Sequence, residues 1–152
     1  MYLQMAKKLT EDAVRDKARD ILGFKDKDGV KSGVGQITTF NQLGLSLGGE
    51  YLGSCFIQPD VFYTSQNVVV LIPKWKMSFE VKQFISAMIF KESRLYYKAF
   101  VDELNRHIKT DFSFLLPVKD DGKPDWSYME QYMRNMMNVS EKVIENLGML
   151  GL

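Results

Sequence analysis

The stretch Leu115-Leu-Pro-Val-Lys-Asp-Asp-Gly-Lys-Pro-Asp-Trp-Ser-Tyr-Met-Glu-Gln-Tyr132 divides the chain into a folded body and a helix that leaves it. An apolar strand ends at Pro117, and a polar turn rich in aspartate, glycine and proline follows. Asp125 then stands where a helix N-cap is expected, because its side chain can accept a hydrogen bond from the first turn. The pattern predicts a body over residues 1–123 and a packing or docking helix over residues 124–152.

Length and composition indicate a single globular domain. The 152 residues are 45% hydrophobic and 26% charged, which is typical of one domain that buries its own core. The formal net charge of +1 shows none of the basic excess that marks many nucleic-acid-binding domains. Any nucleic-acid binding must therefore come from a local basic face or be shared with another subunit.

The scarcity of cysteine and histidine limits the chemistry of the chain. Cys55 is the single cysteine, expected to be a small buried hydrophobe, so a disulfide framework and a cysteine-based zinc site are excluded. His107, the single histidine, is expected to be a partly exposed helix residue rather than a catalyst. No apolar run approaches ~18 residues and no secretory signal pattern is present. We therefore expect a cytoplasmic protein with no membrane span, metal site or cofactor.

The N-terminal half combines a predicted helix with short strands. Apolar residues recur at helical spacing from Met1 to about Leu22, and Gly23 is a plausible stop. Residues 24–35 read as a charged, glycine-rich loop. Between residues 36 and 72, short apolar runs punctuated by glycine and proline predict strands, and residues 67–72 form the strongest of them.

Helix signals are clearer in the second half. Ser78 caps a helix expected from Met77 to Glu92, whose apolar stripe faces the core. A further helix is expected over roughly Lys98 to His107, and a strand over Phe112 to Leu116. The residues of that further helix expected to face inward are Phe100, Val101 and Leu104. The fold class is therefore predicted as α+β: a single compact domain with a mixed, mainly antiparallel sheet and a projecting C-terminal helix.

The projecting helix carries a long apolar stripe that is rich in methionine. Methionine suits adaptable packing surfaces. The members of the stripe fall at i, i+3 and i+7 spacings and are Trp126, Met129, Met133, Met136, Val143 and Leu147. They can pack against the chain's own body or dock another subunit, and the residues alone leave both possibilities open.

Residues suited to nucleic-acid contacts are spread along the body. Lysines suit phosphate groups, and glutamine or asparagine can read adenine through paired hydrogen bonds. Trp75 lies between two lysines, and residues 94–98 form a second basic and aromatic group. The candidate DNA-binding residues are Lys27, Lys31, Gln36, Thr38, Asn41, Gln42, Tyr51, Gln58, Lys74 and Lys76. Each group alone is common on a solvated surface, and only their coexistence favours the hypothesis.

One catalytic pattern is also present. Pro59-Asp60 followed by Glu80-Val81-Lys82 matches the Pro-Asp…Glu-x-Lys pattern of nucleases, in which carboxylates bind magnesium and the lysine polarises water or phosphate. Such sites usually place Glu-x-Lys on a strand, whereas Glu80 is expected to open a helix. A magnesium-dependent nuclease remains an alternative, as does a protein-interaction module that keeps the fold without binding DNA.

The residues from Leu115 to Tyr132 resemble the end of a target recognition domain. Such domains occur in restriction-modification specificity subunits of type I systems and of BcgI-like type IIB and IIG enzymes. In them a strand ending Leu-Pro leads through a Gly-x-Pro-Asp turn into a helix reading Trp-x-Tyr/Phe-Met-Glu-x-Tyr. Upstream, Phe56-Ile-Gln-Pro-Asp-Val-Phe62, the strand at residues 63–71 and the helix at residues 82–89 are similar to family segments in the same order. The resemblance covers about residues 36–135.

This resemblance implies a non-catalytic module, not an enzyme, that reads a short double-stranded DNA sequence for a separate methyltransferase or restriction subunit. The helix that follows such a domain packs with a second recognition half or with the methyltransferase subunit. The resemblance therefore implies docking, or formation of a homodimer, through the C-terminal helix. Two departures stand out. Residues 1–35 form a shortened N-terminal part, and Tyr96-Tyr-Lys-Ala-Phe100 replaces the family's usual Tyr-Gly-Arg.

Overall fold

The computed structural model describes residues 13–25, 37–38, 42–59, 62–63 and 67–151, and the structural statements below concern these residues. The elements in chain order are β1 (Ala13–Lys17), α1 (Ala18–Ile21), β2 (Leu22–Lys25), β3 (Ile37–Thr38), β4 (Gln42–Ser46), a 3-10 turn (Gly49–Tyr51), β5 (Cys55–Gln58), β6 (Phe62–Tyr63), β7 (Val68–Pro73), α2 (Phe79–Tyr96), a second 3-10 turn (Leu104–Arg106), β8 (Ser113–Pro117) and α3 (Trp126–Met149).

A four-stranded antiparallel sheet of order β2-β7-β4-β5 supports the body. Val69 and Leu71 of the central strand β7 are fully buried in the core that this sheet forms with α2. Val70 points to the opposite face and is also buried. Burial on both faces explains why β7 reads as a continuous apolar run rather than as an alternating one. The expected α+β class with a mainly antiparallel sheet is confirmed.

Helix α2 begins where the sequence indicates and packs on several neighbours. The Ser78 hydroxyl accepts a hydrogen bond from the Val81 N–H at 3.3 Å, so the predicted N-cap is confirmed. Buried residues cover a wide face of α2, which contacts β5, β8 and α3. At its C-terminal end, Ser93 lies against Gly53, whose φ is 82°. A Cβ at Gly53 would collide with the Ser93 side chain, so glycine is required there for space and for backbone conformation.

The predicted N-terminal helix is wrong over the described residues. Residues 13–17 form β1, which pairs antiparallel with β8 in the register Ala13↔Pro117 to Lys17↔Ser113. Between residues 13 and 25, the described part of this segment, the four residues of α1 are the only helical ones, and Gly23 lies inside β2 rather than at a helix end. Pairing with a strand about a hundred residues away outweighs the local helical spacing, because long-range burial overrides intrinsic propensity.

The helix expected over Lys98 to His107 is also wrong. Lys98 and Asp102 close a short loop by two backbone hydrogen bonds, at 3.0 and 2.9 Å, and a single 3-10 turn follows. Leu104 is buried as expected. Phe100 and Val101, expected to face inward, are instead 80% and 68% exposed.

Helix α3 leaves the body after the predicted turn. The Asp125 carboxylate accepts from the Tyr128 N–H at 3.0 Å, which confirms the predicted N-cap. The helix has 24 residues, a length of ~36 Å. Every described residue from 138 to 151 is exposed, which confirms a projecting C-terminal helix. Within the described residues, no helix combines the length and apolar character needed to cross a membrane.

Candidate nucleic-acid interface and docking helix

Part of the predicted DNA-binding set lies in the described sheet. Gln42 and Gln58 are cross-strand partners of β4 and β5. On its other side β4 pairs with β7, and Leu43 lies opposite Leu71. Gln42 and Gln58 therefore lie at the end of the sheet where β7 finishes and the chain continues into Lys74. The Lys74 N–H donates to the Ile21 carbonyl at 3.0 Å, and Lys74 and Lys76 are exposed. The fold thus brings these polar and cationic positions to one edge.

Other members of the set are separated from that edge or are not described. Tyr51 lies in the turn between β4 and β5, at the opposite end of these strands, and is exposed. Thr38 lies on β3, which pairs with β6. Three lysine or glutamine positions and one asparagine lie outside the described residues: Lys27, Lys31, Gln36 and Asn41.

A groove on the outer face of the sheet connects the two ends. Its volume is about 370 Å³, and Tyr51, Phe56 and Gln58 line it together with two serines and Val68. Gly44 also lines it and contributes no side chain. Strands of this length span ~16 Å at 3.3 Å per residue. The outer face therefore offers an aromatic and hydrogen-bonding surface as long as about five stacked base pairs of duplex DNA.

Trp75, between the two exposed lysines, packs on the first turn of α3. The rings of Trp75 and Trp126 are edge-to-face, with centroids 5.1 Å apart and an interplanar angle of 68°. These are the chain's only tryptophans. Trp75 thus supports the exit angle of α3, while Lys74 and Lys76 flank the junction of body and helix.

The apolar stripe of α3 divides between the body and solvent. Met129 is fully buried, so it is a core residue, which corrects its assignment to the docking set. Trp126 and Met133 are half-buried and pack against the core. Tyr132 meets Phe84 edge-to-face at 6.1 Å between centroids. Met136, Val143 and Leu147 continue the stripe and are exposed. The first half of the stripe therefore packs against the chain's own body, and the second half is available to dock another subunit.

His107 lies between two carboxylates after the second 3-10 turn. Its Nε2 lies 2.8 Å from Asp102 and its Nδ1 lies 2.8 Å from Asp111. Hydrogen bonding to Asp102 and Asp111 raises the pKa of His107 above its usual 6.5. The bond to His107 lowers the pKa of Asp111. His107 had been expected to lie on a helix, but it lies in a turn instead. There it bridges Asp102 and Asp111 and so holds residues 102–111 together.

This bridge predicts a pH dependence of stability. A histidine pKa raised by folding stabilises the fold fully below the unfolded pKa of 6.5 and loses its contribution as pH rises through the folded value. Because the pKa of Asp111 is lower in the folded protein, this carboxylate stabilises the fold above its unfolded pKa of 3.8. That contribution is lost as pH falls from 3.8 through the folded pKa. Urea unfolding from pH 5 to 9 should show a fall of at most about 1 kcal/mol. Because there is one histidine, His107→Gln should flatten this curve, and an unchanged curve would refute the assignment.

The nuclease pattern does not form a strand-based site in the described part of the chain. Asp60 lies outside the described residues. Glu80 is in the first turn of α2, and its carboxylate lies 3.7 Å from Arg134 of α3. Within the described ranges, no group of three or more histidine, cysteine, aspartate and glutamate side chains could hold a metal ion. Cys55 is buried as expected, and burial raises the pKa of its thiol to about 12.

These features define an α+β domain on an antiparallel sheet, with a half-uncovered helix projecting from its C-terminal end. The fold matches a crystal structure of a type I restriction-modification system S subunit from M. genitalium with a TM-score of 0.56, over 98% of this chain and 46% of that one, at 11% identity. In sequence, the chain is 28% identical over 87 residues to S.BcgI, the specificity subunit of a type II restriction enzyme from Heyndrickxia coagulans.

The match to S.BcgI covers 57% of this chain and 25% of that protein, so the chain spans much less than the full length of either relative. No protein-family model matches the chain. The sequence match and the shared fold together confirm the resemblance to the target recognition domain of restriction-modification specificity subunits.

Proposed function

We propose that this chain is a non-catalytic DNA target-recognition module that gives sequence specificity to a separate methyltransferase or restriction subunit. The observation that carries the proposal is the specificity-subunit fold of the body combined with the sequence match to S.BcgI. A module of this kind acts on cellular and foreign DNA, so its place is the cytoplasm.

The edge of the sheet and its outer groove are the proposed DNA surface. Gln42 and Gln58 have side chains capable of paired hydrogen bonds to adenine, and Tyr51 offers an aromatic ring. Lys74 and Lys76 are suited to phosphates, which position a protein on the duplex without reading sequence. The remaining proposed contacts are Thr38 on β3 and four residues outside the described ranges, Lys27, Lys31, Gln36 and Asn41.

Helix α3 is the proposed docking element, within residues 124–152, and residues 1–123 form the recognition body. Its distal half exposes Met136, Val143 and Leu147 on the face that buries Met129 in the body. A helix with an uncovered apolar stripe suits helix-in-groove or helix-to-helix association. The partner is a second copy of this chain, which would supply a second half-site, or the methyltransferase or restriction subunit.

Salt-dependent DNA binding tests the proposal. Phosphate contacts from four lysines (Lys27, Lys31, Lys74 and Lys76) contribute about −3.6 to the log–log salt slope, an affinity loss of roughly 150-fold between 50 and 200 mM salt, and each further phosphate contact steepens the slope. Lys74→Ala should reduce that slope by about 1, equally for all sequences. Gln58→Ala should cost about 1–3 kcal/mol on a duplex selected from a random pool and relax the preference at one base pair.

The measurement is fluorescence anisotropy with short random-sequence duplexes, followed by selection of the preferred site. Lys119→Ala is the matched control, because Lys119 is an exposed lysine in the turn after β8, a strand that belongs to the two-stranded sheet with β1 and not to the four-stranded sheet. Absence of duplex binding at low salt, alone and with the partner, would refute DNA recognition. The exposed half of α3 would then favour a protein-interaction module that keeps the fold.

A further inference from the structure

The loop between α2 and β8 presents an apolar tip on a closed backbone. Besides the two bonds between Lys98 and Asp102, the Val101 N–H donates to the Lys98 carbonyl at 3.1 Å. Phe100, at the apex, has φ 64°. A bulky residue with positive φ is unusual and is retained where the surrounding structure enforces it, often at a functional site.

Glu103 fixes this loop to the body. Its carboxylate accepts the Phe100 N–H at 2.8 Å and the Gly49 N–H at 2.8 Å. These backbone hydrogen bonds lower the pKa of Glu103. Gly48 lies so close that a Cβ there would collide with the Glu103 carboxyl group. The tip is thus anchored to the 3-10 turn that carries Tyr51, and its conformation is set before any partner arrives.

The anchored tip is apolar and flanked by cations. Phe100 and Val101 point into solvent, and both line a pocket with Arg106. Lys98 closes the base of the loop, and its side chain is exposed. Two carboxylates also lie nearby and keep their negative charge: Asp102 contacts His107, and Glu103 holds backbone N–H groups. The tip therefore combines an apolar apex with two exposed cationic side chains, Lys98 and Arg106, whose flexible ends can turn towards a ligand while the carboxylates stay held by their partners.

We propose that Phe100, supported by Val101, is a wedge that inserts between adjacent base pairs of bound duplex DNA, while Lys98 and Arg106 contact the flanking phosphates. The inference rests on the proposed DNA-binding function. Proteins that kink DNA insert apolar side chains such as phenylalanine, leucine or isoleucine in this way. Continuity with Tyr51 places the wedge beside the proposed reading surface.

The size of the tip favours a base step over a protein partner. A stable protein interface buries ~800 Å² on each partner. Two side chains cover far less, since one aromatic side chain buries about 150–250 Å². A gap between two base pairs, by contrast, accommodates one ring, and the cations match the phosphates that border it.

The test uses the full chain and the duplex selected by its own binding, with 2-aminopurine placed at one position per duplex. Binding should raise 2-aminopurine fluorescence severalfold at one step, because insertion unstacks the base. Phe100→Ala should abolish that rise and weaken binding by no more than about tenfold, since the lost contact is offset by the avoided unstacking. Phe100→Leu should keep part of the rise.

Phe79→Ala is the matched control, since Phe79 is a half-exposed phenylalanine at the N-terminal end of α2, a helix ~27 Å long whose other end leads into the loop that carries Phe100. It should leave the fluorescence rise intact. A rise that survives Phe100→Ala, or tight binding with no rise at any step, would overturn the wedge while DNA recognition stands. If the unmodified chain binds no duplex, with or without its partner, the wedge and the proposed function both fail.

Discussion

Glutamate in place of Met136, Val143 and Leu147 should abolish association of the chain with its partner and leave the body folded. These residues are 40%, 51% and 44% exposed, so an interface can bury up to about half of each residue's surface. Burial of the exposed half of one such side chain contributes about 0.7–1.5 kcal/mol. Loss of three, with three carboxylates to desolvate, should weaken association at least about 1000-fold. The free energy of unfolding should change by no more than about 0.5 kcal/mol per site, as is usual for exposed positions.

The control must add the same charge to the same helix. Gln131, Asn135 and Asn138 are exposed residues on the opposite side of α3 from Met129, and their replacement by glutamate adds three negative charges away from the stripe. Mass measured by light scattering, alone and with the co-expressed methyltransferase or restriction subunit, reports association. Fluorescence of Trp75 and Trp126 reports whether the start of α3 stays docked. The docking role is refuted if the stripe variant assembles as well as the control.

The sequence predicted β7, α2 and α3 well because the signals of these three elements are local. Ser78 and Asp125 each cap a helix through a bond to an N–H three residues ahead. The apolar run of β7 is bounded by polar residues and Pro73. Such signals need no knowledge of distant contacts, so they hold whatever packs around them.

The failures occur where distant residues determine the conformation. The helical spacing before Leu22 is real, yet β1 pairs with β8, so strand pairing across the whole body decides the outcome. Between Lys98 and His107, the anchor is Glu103, whose carboxylate binds the Gly49 N–H across 54 positions. The local periodicity of the sequence gives no information about that long-range bond. The one weak warning was Tyr97, which is not a residue type that caps a helix.

The candidate site was predicted by residue type but not by arrangement. Gln42 and Gln58 are suited to base reading by chemistry alone, and only the register of β4 and β5 shows that they are neighbours. Trp75 had the right type for a nucleic-acid contact, yet it meets Trp126. The sequence predicted Phe100 in the core and therefore missed the exposed tip. Its exposure depends on the Glu103 anchor, which no local pattern indicates.

Arg15→Met should be the most destabilising single change at a partly exposed position of the body. Arg15 lies on β1, and its guanidinium donates to Glu92 of α2 at 3.0 Å and to the Ser113 carbonyl of β8 at 3.2 Å. The side chains of Arg15 and Glu92 are 42% and 4% exposed. Removal of arginine leaves a buried carboxylate without its partner, which costs about 3–5 kcal/mol when both partners are buried and about 2–3 kcal/mol here, because the half-exposed arginine site gives water access to the carboxylate.

The reverse deletion should cost less, and the double variant should restore most of the loss. In Glu92→Leu the remaining Arg15 can turn its charged end to water, as long cationic side chains do. Replacement of both residues by apolar ones of similar volume is often neutral for a buried ion pair. A double-mutant cycle measured by urea unfolding should therefore give a coupling of about 1–3 kcal/mol between Arg15 and Glu92.

Arg19→Met is the matched control, and it separates the observed fold from the one expected at the N-terminus. Arg19 is an exposed arginine of α1 whose contact with Asp20 is 4.0 Å, so its loss should cost less than about 1 kcal/mol. On the predicted helix, Arg15 and Arg19 would both face solvent and their replacements would cost the same. A large difference between them follows only if β1 packs beside α2. Equal, small costs would instead restore the helical prediction and remove the ion pair from the core of this fold.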